Sequence, residues 1–246
     1  MLTQTIGNTI APLQNVSLCS QAITNAMNRA EHLPGIIALY GPSGWGKTFA
    51  ATYSANKHRA YYVQCKSAWT RKAFLKAVLE EMGIAPASTI YEMVDQISQE
   101  LALSGRPLII DETDFLVERK YIEIVRDIYE SSFATILLIG EEHLPAKLKK
   151  WERFHNRVLN WIPAQPATLS DSKILANIYA PDVAIHDDLL IKVVEASRNV
   201  TRRICVNLNK INEISKLEGW DEVDNSLWGK RDLFTGHGSI RNGVSG

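Results

Sequence analysis

Eight consecutive residues, Gly41-Pro42-Ser43-Gly44-Trp45-Gly46-Lys47-Thr48, spell G-x-x-x-x-G-K-[ST] between an apolar run at 36–40 and a helix-like stretch at 49–56. In the order strand, loop, helix this pattern predicts a cradle for a nucleoside triphosphate. Glycines let the backbone curl so that successive N–H groups face phosphate oxygens, and the following helix presents its positive end. Lys47 would reach the β and γ phosphates, and Thr48 would hold Mg²⁺. Gly41 through Thr48, with Phe49 directly after them, form the candidate ATP-binding set.

A second group completes that chemistry. The apolar run Leu108-Ile109-Ile110 ends in Asp111 and Glu112, so a strand delivers two carboxylates at its C-terminal end, the edge where α/β sheets bind ligands. Asp111 would hold the magnesium through its water shell, while Glu112 would orient and deprotonate the water attacking the γ-phosphate. The second acid favours hydrolysis over transfer to a small substrate, the reaction of nucleotide kinases that carry the same loop. A hydrolytic site of this type also draws on a positive charge in the transition state, which an arginine of a neighbouring subunit can supply. Arg157 is the first candidate, because it ends the basic cluster Lys147, Lys149, Lys150, Arg153 and Arg157 and enters an apolar run at 158–162. Arg153 is the reserve.

These residues need a scaffold that alternates strands and helices. A helix is expected at 17–29, with Leu18, Ala22, Ile23 and Ala26 on one face, and Pro34-Gly35 breaks the chain before the first strand at 36–40. Further strands are expected at 60–65, 108–110, 134–139 and 158–162. Helices are expected at 49–56, 70–82 closed by Gly83, 90–103 closed by Gly105, and 121–129. The alternation predicts a parallel five-stranded α/β sheet with helices on both faces. After Pro163 and Pro166 the strands stop and helices at 171–179, 187–196 and 202–217 remain, a small helical lid. The expected division is a helical lead-in at 1–32, a nucleotide-binding α/β domain at 33–162, a helical lid at 163–225 and a flexible tail at 226–246.

Composition fits this frame. The chain has 246 residues, 46% of them hydrophobic, enough for a substantial core. No apolar run approaches the roughly 18 residues that span a bilayer, and residues 1–13 lack the basic head and apolar stretch of a secretion signal. Cys19, Cys65 and Cys205 are far apart with no metal-ligand spacing, which suits a cytoplasmic, reducing setting. Net charge is zero, which excludes a molecule coated in positive potential and shifts attention to local clusters. One of them, Lys57, Arg59, Lys66, Arg71, Lys72 and Lys76, contains no acid.

Over residues 10–217 the chain resembles AAA+ ATPases of the initiator-like branch, most closely the target-DNA-binding ATPases of transposable phages, the Mu B type. The residues that carry the resemblance are the phosphate loop, the strand from Leu108 to Glu112, Leu137-Leu138-Ile139-Gly140, the segment from Phe154 to Val158, and Asn199-Val200-Thr201-Arg202. It implies that Arg157 is an arginine finger acting in trans and that Arg202 senses the nucleotide from the lid. Two departures stand out. Glu141 occupies the place of a small polar sensor, where an acid would repel the γ-phosphate unless turned away or bound to a cation. Asn199 replaces a usual glycine, and Arg203 directly follows Arg202.

The resemblance also implies a DNA-binding role. The sequence before the first strand is too short for the N-terminal helix-turn-helix region of the resembling phage proteins, so the ATPase body must grip DNA. Lys66, Thr70, Arg71 and Lys72 surround Trp69 where the second strand ends, a region that in the resembling ATPases faces the channel of a helical assembly. Phosphate contacts there give affinity without sequence information. The expected partners are duplex DNA, a transposase and further copies of the chain in an ATP-dependent filament. A replication initiator or helicase loader is the alternative, and a metabolic nucleotide kinase the alternative of another class.

Overall fold

Each apolar run flanked by turn residues becomes a strand in the structure, a computed structural model that describes residues 13–236. Strands β1 (Ile36–Tyr40), β2 (Tyr61–Gln64), β3 (Leu108–Asp111), β4 (Ile136–Gly140) and β5 (Val158–Pro163) all run parallel, in the order β2-β3-β4-β1-β5. The expected parallel five-stranded sheet is therefore present. Its interior strands are apolar through 36–39, 108–110 and 136–139 because both faces are covered.

Helices α1 (Gln14–Met27) and α2 (Lys47–His58) pack on each other and on the sheet. Next come α3 (Arg71–Glu81), α4 (Ile90–Ser104), α5 (Asp114–Glu118) and α6 (Ile122–Ser132), followed by the short α7 (Leu144–Leu148) and α8 (Glu152–His155). Alternate strand residues Ile36, Ala38, Leu108, Ile110, Ile136 and Leu138 join one fully covered core with Phe74, Val78, Met93, Ile97 and Val125. By the two-residue period of a strand, Ile37, Leu39, Ile109, Leu137 and Ile139 face the opposite side, and all are buried.

Local sequence sets the helix ends. Thr70 caps α3 by accepting from the Ala73 N–H. Thr89 and Glu92 form a reciprocal capping box on α4, whose far end closes at Gly105 with φ 64°. Two expected details shift. In α1, Cys19 is fully buried and Leu18 only half-buried. Helix α2 begins at Lys47 rather than Phe49, so the motif lysine is already in the first turn.

The α/β unit runs through Gln165, and the helical unit begins at Pro166, three residues beyond the expected boundary. Helix α1 belongs to the α/β unit and is not a separate lead-in. The helical unit contains α9 (Leu169–Tyr179), α10 (Asp187–Ala196), α11 (Thr201–Glu218) and α12 (Asn225–Trp228). It also contains strands, contrary to expectation: β6 (Ala184–Ile185) and β7 (Glu222–Val223) form a two-residue parallel pair. The tail expected to be loose from 226 is held to the helical unit as far as Phe234. Trp228 is fully buried, and Asn207 holds Phe234 by two hydrogen bonds, accepting from its N–H and donating to its carbonyl. Residues 1–12 and 237–246, with His237 and Arg241, lie outside the described residues. Among the described residues no helix is long and apolar enough to cross a membrane.

Candidate functional site

The phosphate loop leaves β1 at Tyr40 and turns into α2 through Gly44 and Gly46, each at φ 82°. A side chain at either position would be forced into the left-handed region, so glycine is favoured there. The N-terminus of α2 has no side-chain cap, which leaves its first N–H groups available to phosphate oxygens. Lys47 Nζ folds back on the loop, donating to the Gly41 carbonyl at 2.6 Å and the Pro42 carbonyl at 2.9 Å. Burial lowers the Lys47 pKa, while the charges of Asp111, Glu112, Asp114 and Glu141 act to raise it. The lysine and four carboxylates thus share one electrostatic neighbourhood at the C-terminal edge of the sheet.

Asp111 is buried at the end of β3, and both of its oxygens are engaged. Oδ1 accepts from the Glu112 N–H at 2.8 Å, and Oδ2 accepts from the Tyr62 hydroxyl at 3.0 Å. Burial and the Asp111 charge hold the Tyr62 phenol well above its usual range. The next residue, Glu112, stands at φ 55°, a left-handed conformation that costs an L side chain about 1–2 kcal/mol and is concentrated at functional sites. Burial raises its carboxyl above the ordinary glutamate range, the Asp111 charge raises it further, and Lys47 opposes the shift. Among the described residues its carboxylate has no hydrogen bond or ion pair, which leaves it available to a water molecule. The buried Asp111, the half-buried Glu112 and Lys47 together make an arrangement into which a metal-bound triphosphate would fit.

Asp114 and Lys147 were not among the sequence-predicted site residues. Asp114 Oδ2 accepts from the Glu141 N–H at 2.6 Å, and Asp114 Oδ1 receives Lys147 Nζ at 2.7 Å. Lys147 also pairs with Glu118 at 2.8 Å and stands 3.9 Å from Glu141. The acid in the sensor place is therefore turned toward a cation. A Cβ on Gly140 would collide with Asp114 Oδ2 and stand 2.7 Å from Leu144 Cδ2, so the close approach of this loop to Asp114 requires glycine. Tyr62 and Asp114 carried no sequence signal, and Lys147 was visible only as one member of a basic cluster.

Other candidates lie elsewhere. Arg157 directly precedes β5, and its carbonyl accepts from the Ile36 N–H at the start of β1. It therefore stands at the N-terminal edge of the parallel sheet, opposite its own phosphate loop, and it pairs with Glu130. Arg153 is exposed and has no ion pair among the described residues. In the helical unit, Arg202 is exposed in the first turn of α11. Arg203 is packed instead, since a Cβ on Gly236 would stand 2.5 Å from its Nε.

The four proposed DNA-contact residues all have partners within the chain. Thr70 is the cap of α3, Arg71 stacks over Tyr121 at 5.0 Å, and Lys72 donates to the Ser88 carbonyl at 2.7 Å. Lys66 lies over the half-buried Trp69 ring at 5.6 Å. All four side chains remain on the surface.

Residues 30–148 match the family model described as "AAA domain". No curated protein sequence matches the chain. Among solved structures, the chain is similar to the Aeropyrum pernix ORC2 protein in its ADPNP–ADP complexes (TM-score 0.69, 13% identity, 91% of this chain and 68% of that one). It is similar to the Aeropyrum pernix ORC1 protein in complex with DNA (TM-score 0.63, 16% identity, 87% of this chain and 63% of that one). Domain III of the Thermotoga maritima replication initiation protein DnaA matches with TM-score 0.57 at 17% identity, over 89% of this chain and 91% of that one. Residues 30–148 thus form an AAA ATPase domain, and the chain shares its fold with these structures.

Proposed function

We propose that this ATPase uses bound ATP to control its hold on duplex DNA, as an initiator-type protein acting on DNA without reading its sequence. The observation that carries this reading is the group after β2 formed by the exposed Lys66 and Arg71 and the half-buried Trp69. A solved relative of the same fold, described as being in complex with DNA, points the same way. A cytoplasmic setting goes with it, supported by three free cysteines.

In the proposed reaction Lys47 binds the β and γ phosphates, and the first-turn N–H groups of α2 hold their oxygens. Mg²⁺, held by Thr48 and by Asp111 through water, would neutralise phosphate charge. Tyr62 keeps the Asp111 carboxylate oriented. Glu112 takes a proton from a water whose oxygen attacks the γ-phosphorus as the bond to the β,γ-bridging oxygen breaks. Arg157 of one copy would serve the site of the next, and Arg202 would report the nucleotide to the lid.

Replication initiation or helicase loading is the better supported setting, since one of the similar structures is a replication initiation protein and another is in complex with DNA. Delivery of DNA to a transposase, with assembly into a filament, rests on the sequence resemblance of the segments around Phe154 and Arg202. Pull-downs with a helicase and with a transposase separate the two readings. The DNA-binding surface is tested by titrating salt. Phosphate contacts make the affinity fall steeply with salt, and replacing Lys66 and Arg71 with alanine should reduce the logarithmic slope by about 2. ATP affinity should be retained, and an unchanged slope would reject this surface.

A further inference from the structure

Asn15, in the first turn of α1, is 7% exposed and is fully used by the main chain of two distant segments. Its Nδ2 donates to the Trp45 carbonyl at 2.7 Å and to the Gln165 carbonyl at 2.8 Å, while its Oδ1 accepts from the Gln165 N–H at 2.8 Å. An asparagine amide has two N–H donors, and both are taken. Trp45 lies within the phosphate loop, between the two glycines at φ 82°. Gln165 is the last residue of the α/β unit, next to Pro166.

The neighbouring residue strengthens the same connection. The Ala164 N–H donates to the Tyr40 carbonyl at 2.7 Å, and a Cβ on Gly41 would come within 2.9 Å of the Ala164 methyl. The exit peptide 164–165 is thus held against the loop at its start, through Gly41, and at its middle, through Asn15 and Trp45.

We propose that Asn15 is a positioning residue that couples the shape of the phosphate loop to the peptide leading into the helical unit. The inference rests on the reading that this loop binds ATP. A polyphosphate draws loop N–H groups toward itself, and the peptides flanked by Gly44 and Gly46 have the conformational freedom to turn. When the Trp45 peptide turns, its carbonyl either leaves a buried Asn15 donor unpaired or takes the side chain with it. Movement of the side chain disturbs both bonds to Gln165. Occupancy of the loop is in this way passed to the 165–166 junction through a single amide.

Amide hydrogen exchange on the full-length protein, with and without a non-hydrolysable Mg-ATP analogue, tests this directly. In the wild type the analogue should change exchange both in the peptide covering 41–49 and in the peptide covering 164–168. Asn15→Ala, and Asn15→Asp as a near-isosteric second variant, should keep protection of 41–49 and lose the response at 164–168. Their analogue affinity should stay within about threefold, since the phosphate contacts themselves remain. A variant that retains both responses, or one that folds normally yet loses both together, would overturn the coupling. Absence of protection at 41–49 in the wild type would instead reject nucleotide binding by the loop, so the two failures are distinguishable.

Discussion

The Tyr62 hydroxyl donates a 3.0 Å hydrogen bond to Asp111 Oδ2, so a residue of β2 fixes the carboxylate at the end of β3. The other carboxylate oxygen is already engaged by the Glu112 N–H. Tyr62→Phe removes the hydroxyl and leaves the ring. The Mg²⁺ concentration for half-maximal ATPase should rise several-fold, with Mg²⁺-free nucleotide affinity unchanged. Equal Mg²⁺ dependence in the two proteins would remove Tyr62 from the site.

Glu112→Gln keeps the shape of the side chain and removes the base. Steady-state ATPase should fall by about 10²–10⁴-fold, while equilibrium binding of ATP, measured by calorimetry, should persist. Hydrolysis within about tenfold of wild type would assign the base elsewhere.

The pH dependence of kcat carries a sign that can be checked. Burial, Asp111, Asp114 and Glu141 raise the Glu112 carboxyl, and only its ionised form accepts a proton. Activity should therefore fall on acidification at a pH above the ordinary glutamate range. Glu141→Gln removes one of the charges that disfavour ionisation, so the acidic limb should move to lower pH. A limb that stays in place, or moves upward, would contradict electrostatic coupling between these two residues.

Gly140→Ala places a methyl group against Asp114 Oδ2 and Leu144 Cδ2. Overpacking of this kind costs about 1–3 kcal/mol, and the shift of Asp114 should disturb its bonds to Lys147 and the Glu141 N–H. Chemical denaturation should register the loss of stability, and ATPase activity should fall with it. A fully stable and active variant would mean that the Asp114 loop is not held as described.

The sequence made the local parts of the site legible and concealed the long-range ones. The phosphate loop and the pair Asp111–Glu112 each occupy a few consecutive residues next to an apolar strand, so motif and strand identify each other. Tyr62 reads only as one more strand aromatic, because its bond to Asp111 spans 49 positions. The Asn15 bonds to Gln165 span 150 positions, and only the packing of α1 against the sheet brings those residues together. Glu141 looked like a misplaced charge until Lys147, six residues later in α7, supplied its cation. The end of the helical unit was missed for a related reason. Among glycines and charges Trp228 resembles a tail residue, yet it fills a buried site, and Trp228→Ala should destabilise the protein by about 3–5 kcal/mol.

Control of DNA binding by the nucleotide is measured most directly by fluorescence anisotropy of a labelled duplex, at fixed salt, with wild type and Lys47→Ala in ATP analogue, ADP or no nucleotide. Tight binding by the wild type with the analogue alone, and weak, nucleotide-independent binding by Lys47→Ala, is the expected result. Equal DNA affinity for both proteins in all three conditions would contradict a switch operated from the phosphate loop.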